Sequence, residues 1–375
     1  MSVGGVIARV FISILLTLAL LLALVYTLAY SIAHGPSNSF RDMLVNMAMQ
    51  ASATKWAPGL VLSQDVIDEI LGVAAAEEPT VSDPEQEIVE RIWFNDEGEH
   101  RDVVTLPASG DDEQVRVVDW SRAVDGIFYE EVVLAHCRAY VALIKDPSRV
   151  YTATSSDFKG SAPGIRFWDL AERDNAVLMI NGGAYPDTAT GGGNGSKPIG
   201  ITYSGGVCLW NDGVTSTFMG FDKNDRLVVT EKLTRAQAEE LGIRDGCCFQ
   251  TGNSLIVDGA VVSPKLGDVA NSQRTAIGQC EDGTVIFVVT DGRTAASPGA
   301  TFSDITQLML SYGAVTAGML DGGSSSMMYY RDYYNIYNYN MDELDDYQKM
   351  GLVNKYKAFT TPRRIPTYFV VGGAS

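Results

Sequence analysis

Residues 297–328, SPGATFSDITQLMLSYGAVTAGMLDGGSSSMM, read in four parts. A short loop leads to Thr301 and Asp304, whose spacing is that of a helix cap. Ile305, Leu308, Met309 and Tyr312 then share one face, which predicts an amphipathic helix over 301–312. The apolar run AVTAGML (314–320) follows as a buried strand and breaks at Asp321 into two glycines and three serines. A carboxylate at such a break is well placed to aim into a cleft.

Outward from this stretch, short apolar runs alternate with Gly, Asn and Asp turns from about Gln114 onward. AYVALIK (139–145), AVLMI (176–180), GVCLW (206–210), RLVVT (226–230), TVIFVVT (284–290) and TYFVV (367–371) read as further strands. Helices are fewer: 165–173, and 234–241 opened by a Thr234/Gln237 capping box. Many strands with few, unevenly spaced helices predict an α+β fold with a mixed, mainly antiparallel sheet. Residues 329–356 hold eight of the 17 tyrosines. They offer a ligand-stacking rim or, as the preferred reading, an inserted surface loop held by aromatic packing.

Residues 10–33 contain no charge and are long enough to cross a bilayer. A cleaved leader usually has an apolar core of only about 7–15 residues, so the expectation is an uncleaved anchor. Arg9 leans the amino terminus inward. The expected order is a short cytoplasmic tail (1–9), a transmembrane anchor (10–33), a helical stalk (34–75), an acidic linker (76–113) and a folded domain (114–375). The chain is then a single-pass cell-membrane protein with its C-terminal domain extracellular. In the stalk, Met43, Met47 and Ala51 form a stripe that reads as packing.

The net charge of −18 is mostly local: residues 76–119 carry 14 Asp/Glu against 3 Lys/Arg. No basic stripe exists to neutralise phosphates, which argues against nucleic acid as a partner. Five cysteines are too scattered for a disulfide framework or a zinc site. Histidine is scarce, at positions 34, 100 and 136 only. That weakens a Ser-His-Asp triad and leaves any metal as a hard cation held by oxygens, Ca²⁺ or Mg²⁺.

Carboxylates, arginines and backbone amides remain. MINGGAYPD (179–187) opens a strand end at Asn181 and Gly182, and VVTDGR (288–293) ends a strand in Asp291 and Arg293. SQRTAIG (272–278) sets Arg274 at a strand head, and MLDGGSSS (319–326) supplies Asp321, Gly322, Gly323 and Ser325. Converging strand ends would make a polar pocket in which guanidinium groups and glycine-flanked amides suit a phosphate or carboxylate.

Asn181-Gly-Gly, Arg274-Thr-Ala-Ile-Gly, Asp291-Gly-Arg, Ser297-x-Gly-x-Thr and Leu320-Asp-Gly-Gly together resemble the phosphodiester glycosidase family. That family includes the lysosomal enzyme that uncovers mannose 6-phosphate and many bacterial proteins labelled exopolysaccharide biosynthesis. The resemblance spans residues 114–373. It implies cleavage of a sugar-1-phosphate diester in a cell-wall or exopolysaccharide glycan. Asp321 would be base or nucleophile, Asp291 second, and Asp304 an even choice between acid and helix cap. Arg274 and Arg293 would clamp the phosphate, Asn181 and Ser325 would bond the ligand, and Lys197 in loop 188–200 would close over it. The family's usual Ser-Arg-Gly is Ser297-Pro298-Gly299 here, and its third turn glycine is Ser324. The rival expectation is a non-catalytic polysaccharide-binding or assembly factor.

Overall fold

The computed structural model describes residues 3–37, 41–42, 44–45, 48, 56–70, 116–134, 137–187, 193–262, 271–292, 297–356 and 361–373. Arg293, Met43, Met47, His136 and the acidic segment 76–113 lie outside them. The chain divides into two units, Met1–Val81 and Ser82–Ser375.

The first unit holds helices α1 (Val3–Ala33) and α2 (Gln64–Ile70). Within α1, Phe11–Ala33 is 23 residues, long and apolar enough to cross a membrane, and a secretory leader passes the same test. Thr17 and Thr27 donate to the carbonyls four residues back, so their hydroxyls do not stand unpaired on an apolar surface.

The second unit begins with β1 (Ile127–Val133), β2 (Arg138–Ile144), β3 (Val150–Thr154), α3 (Phe167–Arg173) and β4 (Leu178–Asn181). Next come β5 (Ile201–Ser204), β6 (Val207–Asn211), β7 (Thr217–Asp222), β8 (Leu227–Glu231) and α4 (Arg235–Leu241). The chain continues through β9 (Ile243–Phe249), β10 (Ser254–Val257), β11 (Ala260–Val261), β12 (Thr275–Cys280) and β13 (Val285–Thr290). It finishes with α5 (Phe302–Ser311), β14 (Ala314–Met319), β15 (Met328–Tyr330), the one-turn helices α6 (Tyr333–Ile336) and α7 (Asp346–Lys349), and β16 (Thr367–Val371).

These strands form three sheets, ordered β1-β2-β13-β12-β14-β10-β11, β15-β4-β16-β3 and β6-β5-β9-β7-β8. Every strand pair among the described residues is antiparallel. The fold is α+β, as the scarcity of helices predicts.

All three sheets turn one face to a shared core. Tyr140, Ala142 and Ile144 of β2, Val285, Phe287 and Val289 of β13, Leu178 and Ile180 of β4 and Phe221 of β7 meet there. The alternate residues pack outward. Ala139, Val141, Leu143, Ile286 and Val288 pack with α5 residues Ile305, Leu308 and Met309. Met179, Tyr368 and Val370 lie with Phe167 and Leu170 of α3, and Phe218 lies with Ala238 of α4. Burial on both faces explains why runs such as TVIFVVT are continuously apolar. The five cysteines are free thiols; Cys247 and Cys248 are buried back to back on β9.

The tyrosine-rich segment is less a surface insert than expected. Tyr330, Tyr333 and Tyr334 are buried in the shared core. The Tyr333 ring stands edge-on to Tyr129 at 5.0 Å, and its hydroxyl donates to Glu131 at 2.9 Å.

Candidate active site

The site forms where the seven- and four-stranded sheets are stitched end to end. Leu320 N, just past β14, donates to Thr275 O at 2.8 Å within the larger sheet. One residue later, Asp321 N donates to Gly182 O at 3.1 Å, beyond the end of β4. The LDGG turn therefore crosses from one sheet to the other at Asp321.

Asn181 holds the crossing. Its amide Nδ2 donates to Asp321 O at 2.7 Å, and its Oδ1 accepts from Thr275 Oγ1 at 2.7 Å and Met327 N at 3.1 Å. The residue has no exposed surface. Expected to bond the ligand, Asn181 instead spends both ends of its amide on protein groups. Its effect on the site runs through the Asp321 backbone.

The glycines follow from close packing. A Cβ on Gly182 would lie 2.5 Å from Thr367 Oγ1 on β16. Gly322 has an extended backbone, and Gly323 turns it with φ +61°, a left-handed conformation that favours glycine. Gly323 N is fixed by Gln273 O at 2.9 Å.

Asp321 is half-buried. Desolvation pushes its carboxyl up to about 6 from an ordinary 3.8, and the neighbouring Asp187 charge adds to this. A hydrogen bond from Ser325, the Arg363 charge and the Gly322 amide oppose the rise. Ser325 is 1% exposed, and its Oγ lies 3.3 Å from Tyr185 Oη. Burial also raises the Tyr185 phenol, followed by the Asp321 charge, so Tyr185 stays protonated. The Arg363 guanidinium stacks over the Tyr185 ring at 4.7 Å, pairs with Asp187, and reaches Ser324 Oγ at 3.5 Å. Tyr356, from the tyrosine-rich segment, donates to Ser324 O.

Other expected site residues are engaged elsewhere. Asp291 is 7% exposed, accepting from Tyr140 Oη at 2.8 Å and Lys355 N at 3.0 Å. Desolvation raises its carboxyl, against the hydrogen bonds from Tyr140 and Lys355. Asp304 closes a capping box, accepting from Thr301 N and Oγ1, each at 2.8 Å. Between acid and cap, its geometry is that of the cap. Arg274 Nε donates to Ala300 O at 3.0 Å, with its guanidinium over the Phe302 ring at 4.6 Å. It stands one residue from Gln273, which holds the turn. Lys197 lies over the Trp210 ring at 4.7 Å. Among the described residues, no group of three or more His, Cys, Asp or Glu could hold a metal ion.

The structure thus brings together Asn181, Gly182, Asp321, Gly322, Gly323 and Ser325, and adds Tyr185, Asp187, Arg363 and Tyr356. Tyr185 and Asp187 sit in the same MINGGAYPD stretch as Asn181. Arg363 has only the doublet in TPRRIP to signal it.

Residues 174–372, just over half the chain, match the model of the phosphodiester glycosidase family. Over 183 residues the chain is 49% identical to an uncharacterized SPbeta prophage-derived protein, YomE, of Bacillus subtilis; the match covers 46% of this chain and 27% of that protein. The chain thus spans about a quarter of that relative's length. Among solved structures, it is similar to the zebrafish N-acetylglucosamine-1-phosphodiester alpha-N-acetylglucosaminidase catalytic domain, auto-inhibited by its pro-peptide. There the TM-score is 0.50 at 18% identity, over 66% of this chain and 82% of that one. A putative exported protein from Burkholderia pseudomallei gives 0.45 at 16% identity, over 63% and 74%. By its family match, the chain belongs to the phosphodiester glycosidases.

Proposed function

We propose that this protein hydrolyses the glycosidic bond of a sugar-1-phosphate diester, releasing the free sugar and leaving a phosphomonoester. The observation that carries the reading is Asp321: a carboxyl raised to about 6, set in the turn between two sheets, with a guanidinium beside it. At neutral pH Asp321 is mostly ionised and serves as base toward water or as nucleophile at the anomeric carbon. Arg363 offers bidentate contacts to the phosphate oxygens; Arg274, whose Nε is held by Ala300 O, is the second candidate cation of the clamp. A phosphate leaving group is a weak base, so the reaction needs little protonation. Tyr185, held protonated and linked to Ser325, can donate a hydrogen bond to the leaving oxygen. Asn181 positions Asp321 from below.

Helix α1 serves as a membrane anchor, with the second unit outside the cell facing cell-wall or exopolysaccharide glycans. The length of the apolar stretch supports this, since about 30 Å of hydrocarbon needs about 20 residues.

The test uses the full-length chain in detergent, assayed for free sugar from a panel of sugar-1-phosphate diesters that includes UDP-N-acetylglucosamine. Asp321→Asn and Arg274→Ala are run beside it. Turnover lost in Asp321→Asn supports the reading. No turnover on any donor, with glycan binding retained in both variants, would instead support a binding or assembly factor.

A further inference from the structure

Arg363 is shared by two carboxylates. Its charge is the principal attractive charge felt by Asp321, and Asp187 is the principal repulsive one. Asp187 is not a loose surface acid: its Oδ1 takes both Arg363 Nη2 and Gly193 N, the latter at 2.8 Å. Its side chain is 41% exposed while that of Arg363 is 17% exposed. The acid is therefore the more exposed of the pair and the guanidinium the more buried. Together Asp321, Asp187 and Arg363 sum to one negative charge.

A phosphodiester is a monoanion, whereas the phosphomonoester left by its cleavage is close to a dianion above pH 7. The electrostatic cost of approaching a fixed carboxylate scales with the charge that approaches. We propose that Asp187 is a specificity-determining residue that makes Arg363 a clamp for singly charged phosphodiesters and against doubly charged phosphomonoesters. Substrate is admitted and product is expelled by the same fixed charge. The ligand class rests on the phosphodiester reading given above; the charge argument rests on the Asp187–Arg363–Asp321 arrangement alone.

Calorimetry on the full-length chain in detergent at pH 8, with dimethyl phosphate and methyl phosphate as probes, reads this without turnover. Wild type is expected to bind the diester more tightly. Asp187→Asn tightens both, but shifts the ratio of dissociation constants roughly fivefold toward the monoester. Asp187→Glu keeps the charge and keeps the wild-type ratio, and so serves if the Asn variant folds poorly. An unchanged ratio in Asp187→Asn, or equal tightening of both probes, would overturn the proposal. Should wild type cleave no diester while the ratio still shifts, the reaction reading falls and the charge selectivity stands.

Discussion

Asp291 and Asp321 occupy the same local setting: each follows a mainly apolar strand and precedes a glycine. Desolvation raises both carboxyls. They differ in what meets them. Asp291 ends β13 against a tyrosine hydroxyl and a backbone amide, and it ties β2 to the segment after β15. Asp321 ends β14 where the chain leaves one sheet for another, and it meets a serine, an arginine and a second acid. On the proposed function, one carboxylate is a latch and the other the reactive group, and the pattern Asp-Gly after a strand does not distinguish them.

The largest effect that would sharpen this contrast is kinetic. Asp321→Asn should lower kcat/KM for diester cleavage by about a thousandfold or more with the fold intact, since a base or nucleophile is lost. Arg363→Ala should cost roughly ten- to a hundredfold, the worth of a charge-assisted hydrogen bond, with Arg363→Lys recovering part. Asp291→Ala should act on stability: it orphans Tyr140 Oη and Lys355 N at a cost of about 1–3 kcal/mol, read as a lowered urea midpoint. Activity per folded molecule should stay within about tenfold of wild type. A thousandfold loss in Asp291→Ala would break the contrast.

A smaller effect comes from the titration of Asp321. Its folded value of about 6 lies above the ordinary 3.8, so between these the folded chain holds more protons than the unfolded one. Stability from this group therefore falls as pH rises from about 4 to 6. Asp321→Asn removes that penalty and should be more stable than wild type by about 1–3 kcal/mol above pH 7, with the gain vanishing near pH 4. Thermal melts at the two pH values check it. Smallest is Asp304→Ala, expected to cost about 1 kcal/mol through the lost helix cap and to leave kcat/KM nearly unchanged.

The sequence is legible where a residue's job is local. The Thr234 and Thr301 caps, strand 367–371 and the strands β2 and β13 follow from spacing and apolar runs. The strand ITYS of β5 carries little such signal, and TAIGQC of β12 shows only as the strand that Arg274 heads. They are short, and their polar residues are satisfied across sheets: Gln279 reaches Leu227 N and two carbonyls. The site splits the same way. Asp321, its glycines and Ser325 lie within five consecutive residues and are found together. Arg363 comes from the entry to the last strand, and only the pairing of β16 with β4 brings it near Tyr185. Asn181 stood out in the sequence as a ligand contact because nothing local shows that Thr275, Met327 and Asp321 would use up its amide.

The central claim, that Asp321 is the reacting carboxylate, is tested most directly by titrating it. Carboxyl-carbon NMR of the full-length protein should place Asp321 near 6, and kcat/KM for diester cleavage should rise with pH in step with its ionisation. An Asp321 that titrates near 4, or a kcat/KM indifferent to its ionisation, would contradict the account.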